Sequence, residues 1–313
     1  MSRLMKTPNE AKGNDGAPKR LSPGAARGSE QTLEPGLYVV ATPIGNLRDI
    51  TLRALDVLRG ADLVLAEDTR VTRKLLSAHG ISARLEAYHE HNAGASGLRA
   101  LDALGARQVV ALVSDAGTPL VSDPGEGLVR QAIEAGHRVV PIPGASALLA
   151  GLAGAGLPTG RFLFAGFSPP KSKQRREAFL ELAGIPATLV FFESGPRLAE
   201  SLADMAAVFG ARPAVVGREL TKMFEEFRRG DLPTLAAAAA LGDPPKGEMV
   251  VMVGPPEPRG GMTEADIEAG AADEDLRAAL VRLPLGQAAQ EVAALTGAPR
   301  RLLYQRALTL KNA

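Results

Sequence analysis

The chain has 313 residues, 45% of them hydrophobic, enough for two α/β cores, and a formal net charge of +1 leaves any nucleic-acid affinity to local patches. The absence of cysteine excludes disulfides, zinc–thiolate sites and a thiol nucleophile. The opening MSRLMKTPNEAKGNDGAPKR has no apolar segment of signal type, and the most apolar long run, 141–158, is too short and too rich in Gly and Ala to span a bilayer, so a cytoplasmic protein without membrane association is expected.

Residues 1–34, rich in Gly, Pro, Lys and Ser and without periodicity, are predicted to be a disordered tail with a weak basic excess. From Gly36 a βα rhythm begins. A strand over 37–41 precedes a helix over 50–59, with Leu52, Leu55 and Leu58 at helical spacing. Strands follow over 61–66, near 84–88, over 109–113 and over 139–142. Helices over 71–79, 97–104 and 127–135 lie between them, the first and last of these ended by Gly80 and Gly136. Short β runs alternating with helices predict a parallel sheet with right-handed crossovers, placed in a first α/β domain over 35–156. The apolar run 141–158 is read as a buried helix. After the break LPTG, a second α/β domain over 157–254 repeats the style, with strands at 162–165, 188–192, 214–216 and 249–253 and a helix through the alanines 236–240. A linker over 255–265, containing PPEPRGG, leads to a small helical module over 266–313. Its segment LGQAAQEVAALTGAPRRLLYQRAL reads as two helices around Gly297-Ala298-Pro299, like a helix-turn-helix.

In open α/β sheets ligands bind beyond the carboxyl ends of the strands. The polar residues of the first domain collect there: TPIGN after strand one, EDTR after two, HEHN after three, SDAGTP continued by VSDPG after four, and PGAS after five. That placement argues for a cleft enzyme. TPIGN lacks the glycines of a phosphate-cradling turn, which disfavours a dinucleotide-dependent oxidoreductase. Glu67, Asp68 and Arg70 suit a helix N-cap with a surface ion pair as well as they suit catalysis. His89 and His91 have no third ligand cluster, so no metal is expected. The strongest signal is 114–125, with two Asp-containing turns inside one loop.

In this order, VATPIGNLRDIT, AEDTR, HEHN, SDAGTPLVSDPG, PGASA, FFES, GRELTKMFEE and GEMVV closely resemble the ribosomal small-subunit RNA ribose methyltransferase I family, of the tetrapyrrole methylase class. The resemblance runs over 36–253 and extends to the helical tail. It implies an α/β fold of two domains of the tetrapyrrole methylase type with a cleft between them, plus the C-terminal helical module. It also implies S-adenosylmethionine as methyl donor, a cytidine 2′-hydroxyl of 16S rRNA in the small ribosomal subunit as acceptor, and a homodimer. A sulfonium nucleoside with an amino-acid tail carries no phosphate, which suits the glycine-poor first turn; the wider class has a more glycine-rich loop there. Carried over residue by residue, Asp115, Ala116, Gly117, Leu120 and Val121 would line the methionine and ribose portions. Pro43 would wall the site, Ser146 and Phe192 would sit near the nucleoside, and 246–249 near adenine.

A ribose hydroxyl is a poor acid, so a base assists methyl transfer. The candidates are Glu67 and Asp68 at the sheet edge, and Glu225 or Glu226 with Lys222 from the second domain; Glu67, Arg70 and Lys222 are the favoured set. Arg70 and Arg218 suit backbone phosphates. Further RNA-binding candidates are His89, His91, and the run Lys171, Lys173, Arg175 and Arg176, expected on an exposed loop. Arg212, Arg228 and Arg229 add charge in the same domain, and Arg300, Arg301 and Arg306 in the tail. A methylase of a tetrapyrrole precursor and a non-enzymatic RNA-binding factor are the alternative readings.

Overall fold

The computed structural model describes residues 33–90, 92–256 and 262–312; nearly all of the predicted tail, His91, and the middle of the predicted linker lie outside the described residues. The first sheet comprises β1 (Gly36–Val40), β2 (Leu63–Ala66), β3 (Leu85–Ala87), β4 (Val109–Val113) and β5 (Val139–Ile142). Its order is β3-β2-β4-β1-β5, and every pairing is parallel. β1, β2 and β4 are buried along their whole length, as expected for near-continuous apolar runs covered on both faces. Helices α1 (Leu52–Gly60), α2 (Thr69–Ala78), α3 (Ala93–Gly105) and α4 (Glu126–Glu134) make the crossovers. β1 and β4 are neighbours whose onward connections run to opposite sides of the sheet. The loops after these two strands therefore flank the switch point, where such sheets open a crevice.

The second sheet comprises β6 (Phe162–Phe167), β7 (Thr188–Ser194), β8 (Pro213–Arg218), β9 (Glu226–Asp231) and β10 (Glu248–Val253), in the order β6-β7-β10-β8-β9. Here the expected repetition of the first half fails. Only β6 and β7 pair in parallel; β10 runs antiparallel between β7 and β8, and β9 pairs antiparallel with β8 at the edge. The sequence reading contains no β9, because EFRRGD lacks apolar alternation and is held by the β8 ladder. Helices α6 (Ser172–Leu182), α7 (Leu198–Phe209) and α8 (Leu232–Ala240) cover this sheet. Phe179, Phe191 and Phe209 stack at its centre, with ring centroids 5.2 to 6.5 Å apart.

The two sheets belong to one compact unit, Pro35–Ala313. α5 (Ala147–Ala155) leaves the first sheet and packs on the second. Its small residues permit this: a Cβ on Gly151 would stand 3.0 Å from Val250, and one on Gly154 would overlap the Phe227 ring. Arg229 donates to the carbonyls of Gly154 and Ala155, capping the carboxyl end of α5. The Gly/Ala run is thus a short strand followed by a helix that is buried only on the face of Gly151, Leu152 and Ala155, with Leu149 exposed, where a buried helix was expected. Among the described residues no helix is long and apolar enough to cross a membrane.

The tail forms α9 (Glu264–Glu268), α10 (Asp273–Leu280), α11 (Leu285–Thr296) and α12 (Arg300–Asn312) around its own core of Ile267, Leu276, Val292 and Leu303. Gly297 ends α11 in the left-handed conformation, which gives the sharp turn read from Gly297-Ala298-Pro299.

Candidate active site

The loops after β1 and β4 are stitched together. Thr42 N–H donates to the Gly117 carbonyl at 2.8 Å and Gly117 N–H to the Thr42 carbonyl at 3.1 Å, while the Thr42 hydroxyl donates to the Ser114 carbonyl. Amides that a phosphate nest would turn outward are spent inside the protein. Gly117 sits at φ +84°, where a side chain would be strained, although a Cβ there would meet Ile44 only at a contact distance of 3.4 Å. The loop after β2 is tied in as well: Asp68 N–H donates to the Asp115 carboxylate at 2.9 Å, and Asp115 N–H to Glu67 at 3.4 Å.

The second sheet supplies the opposite wall. Lys222 donates to Glu219 at 3.0 Å, and its aliphatic stem lies across Gly45, where any Cβ would overlap it. Glu219 and Thr221 have φ of 48° and 67°; facing them, Leu120 and Ser122 have φ of 75° and 68°. Four non-glycine residues in the left-handed region, on two loops of one cavity, mark strain concentrated at a site. Phe192 is flanked edge-on by Phe164 and Phe167, at 4.7 and 5.5 Å.

Between these walls lies a cavity of about 290 Å³. Ile44, Glu67, Asp115, Ala116, Gly117, Val121, Asp123 and Ser146 line it from the first sheet, and Phe167, Phe192, Glu193, Glu219, Lys222, Glu248 and Met249 from the second. Carboxylates dominate its charge. Burial, reinforced by the carboxylates of Glu67, Asp115 and Glu248 and eased by a hydrogen bond from Ser114, pushes Asp123 up to about 6. Burial likewise raises Asp115, against a partial offset from the Asp68 amide. An acidic, partly dry cavity repels phosphates and favours a cationic ligand.

Of the residues singled out from sequence, Glu67, Asp115, Ala116, Gly117, Val121, Ser146, Phe192 and Lys222 come together here. Pro43 and Leu120 belong to the same loops but are not in the lining. Arg70 stands outside it, exposed and clamped by Nε and Nη2 to Asp68, which also caps α2. Three further base candidates are engaged elsewhere: Asp68 as just described, Glu225 on the Thr221 amide, and Glu226 on Arg228. His89 lies half-buried at the end of the third strand, its amide bonded to Asn92.

Several basic residues prove structural. Residues 172–176 are the start of α6 rather than a loop, and Arg175 is 0% exposed. Its guanidinium holds Asp204 at 2.7 Å and reaches the carbonyls of Pro169 and Pro170, so it cannot meet RNA while the helix is packed. Arg212 stacks on Phe209, Arg229 caps α5, and Arg306 grips Asp273 at 2.6 and 2.7 Å. Lys171, Lys173, Arg176, Arg300 and Arg301 remain exposed, and Arg218 is half-buried with Nε toward the Lys246 carbonyl. Sequence reasoning passed over Asp123, Glu219, Glu248 and Phe167. The second Asp-containing turn, Asp123-Pro124-Gly125, and the GRELTK motif were the available signals, but nothing local distinguishes their carboxylates from surface ones.

The family of Tetrapyrrole (Corrin/Porphyrin) Methylases matches residues 36–236, and the RsmI C-terminal HTH domain matches 266–311. A ribosomal RNA small subunit methyltransferase I of Mesorhizobium japonicum is 56% identical over 281 residues, covering 90% of this chain and 94% of that protein. Its counterpart in Pseudomonas aeruginosa is 50% identical, covering 87% and 96%. Among solved structures, a cobalt precorrin-4 methyltransferase superposes with a TM-score of 0.53 at 19% identity, covering 70% of this chain and 94% of that one, a likeness of fold alone. The chain therefore belongs to the ribosomal RNA small subunit methyltransferase I family and, with it, to the tetrapyrrole methylases.

Proposed function

We propose that this protein methylates the 2′-hydroxyl of a cytidine in 16S rRNA of the small ribosomal subunit, with S-adenosylmethionine as donor. The observation that carries the donor side of this reading is the cavity at the switch point, ringed by carboxylates that suit a cation; the RNA acceptor is supported by membership of the ribosomal RNA small subunit methyltransferase I family. These residues fit the donor. The carboxylates of Glu67 and Asp115 suit its positive charges, Gly117 leaves room for close backbone approach, and Phe192 offers an apolar face. Ala116, Val121 and Ser146 complete that wall. When bound, S-adenosylmethionine supplies an electrophilic methyl group on a cationic sulfur. The protein's part is to exclude water, hold the acceptor hydroxyl and accept its proton.

Lys222, on the cavity wall, and Arg70 and Arg218 outside it, suit phosphates flanking the target nucleotide. Exposed Lys171, Lys173, Arg176, Arg300 and Arg301, with His89, extend the RNA path. Action as a homodimer in the cytoplasm is part of the same proposal and rests on the family resemblance. The purified protein is expected to transfer label from S-adenosylmethionine to small ribosomal subunits and not to uroporphyrinogen-type acceptors; the reverse pattern overturns the proposal.

A further inference from the structure

Among the described carboxylates that line the cavity, most have a donor that fixes them. Glu193 is buried and takes hydrogen bonds from Ser201, Arg197 and the Ser194 amide. Glu219 is held by Lys222, Asp115 by the Asp68 amide, and Glu67 by the Asp115 amide. Glu248 stands exposed at the start of β10. Asp123 differs: no cation or amide among the described residues holds its carboxylate, and the neighbouring Ser114 hydroxyl is shared with the Ala116 carbonyl at 3.4 Å. The backbone leading to it is strained at Leu120 and Ser122, and the turn behind it is wedged, since a Cβ on Gly125 would stand 2.7 Å from Leu112. A side chain kept under-satisfied on a stiff, strained loop is poised to act on something that enters the cavity.

We infer that Asp123 takes the proton from the acceptor hydroxyl. The inference rests on the methyltransferase reading above and goes beyond it by assigning the base, for which Glu67 was the favoured of several sequence candidates. The acceptor oxygen gains the methyl group as the carbon–sulfur bond breaks, the electron pair of that bond stays on sulfur as a neutral thioether, and the hydroxyl proton passes to an Asp123 oxygen and on to solvent. Around Asp123 the charged groups are Glu67 after β2, Asp115 after β4, Glu193 in β7, Glu219 and Lys222 in the β8–β9 loop, and Glu248 in β10. Burial, reinforced by Glu67, Asp115 and Glu248 among these groups, sets its proton affinity above that of an ordinary aspartate while leaving it ionised at neutral pH, the condition that suits a general base.

The test is Asp123→Asn with Asp123→Glu beside it, in the full-length protein. Asparagine is expected to leave affinity for S-adenosylhomocysteine within about twofold in calorimetry and to lower kcat by about 10²–10⁴-fold. It should also remove a limb of the kcat/KM profile that falls below about pH 6 in the wild type, and glutamate should recover part of kcat. Asparagine with near-normal kcat and the limb intact overturns the inference. So does a variant that loses S-adenosylhomocysteine affinity at unchanged kcat, since Asp123 would then hold the donor. A wild-type protein that labels no small-subunit RNA rejects the methyltransferase reading itself, and the inference with it.

Discussion

At the scale of single residues, identical letters take opposite roles according to what they face. Arg175 and Arg176 are adjacent, yet one is fully buried on Asp204 and the other is exposed. Arg175→Ala would strand Asp204 beside a loop that has lost its pin, at a cost of about 3 kcal/mol; thermal unfolding is expected to show a melting temperature several degrees lower. Lys173→Ala, removing a side chain 89% exposed, should change stability by less than about 0.5 kcal/mol. Asp123 carries a pH signature. Its pKa in the fold is raised to about 6, so the folded state binds its proton more tightly than the unfolded chain does. The associated stability is present below the unfolded value near 4 and is lost as pH rises through about 6. Asp123→Asn should therefore melt higher than wild type at pH 7.5, by on the order of 1–2 kcal/mol after allowance for solvent screening, with the gap closing toward pH 4.

At the scale of elements, the α11–α12 pair and the loops of the cavity show two uses of a sharp turn. The left-handed Gly297 simply reverses the chain, and Arg300 and Arg301 are left on the exposed first turn of α12. If that turn grips RNA phosphates, replacing both with Ala should weaken binding across sequences alike. The slope of log K against log salt should fall by about 0.7 for each lost contact to single-stranded RNA; an unchanged slope in a filter-binding series assigns the turn to packing. The left-handed residues of 120–122 and 219–221 have no such simple purpose. They bend two loops toward one cavity, and GRELTKMFEE reveals its use only when Lys222 is seen lying over Gly45.

At the scale of the whole molecule, two differently built sheets share one helix and one acidic cavity. The first sheet is parallel and presents every strand end on one edge; the second is mixed, with β10 threaded between β7 and β8. The carboxylates contributed by both create a field that neither sheet would make alone. Calorimetry is accordingly expected to detect S-adenosylhomocysteine binding and none by ATP or NAD at matched concentration. Tight binding of either phosphate-bearing nucleotide would contradict the electrostatic account of the site.

The rhythm of strands and helices in the first half, the gathering of TPIGN, EDTR and SDAGTP on one edge, and the turn at Gly297 were legible from the order of residues alone. Those features depend on apolar periodicity and turn chemistry, which act between near neighbours along the chain. The place of β9, the antiparallel course of β10, the burial of Arg175 and the character of Asp123 emerge only in the folded molecule. Each of these is set through space, by a β8 ladder, a carboxylate on α7, or burial reinforced by carboxylates of both sheets. Pairing and desolvation depend on distances that the order of residues along the chain does not encode.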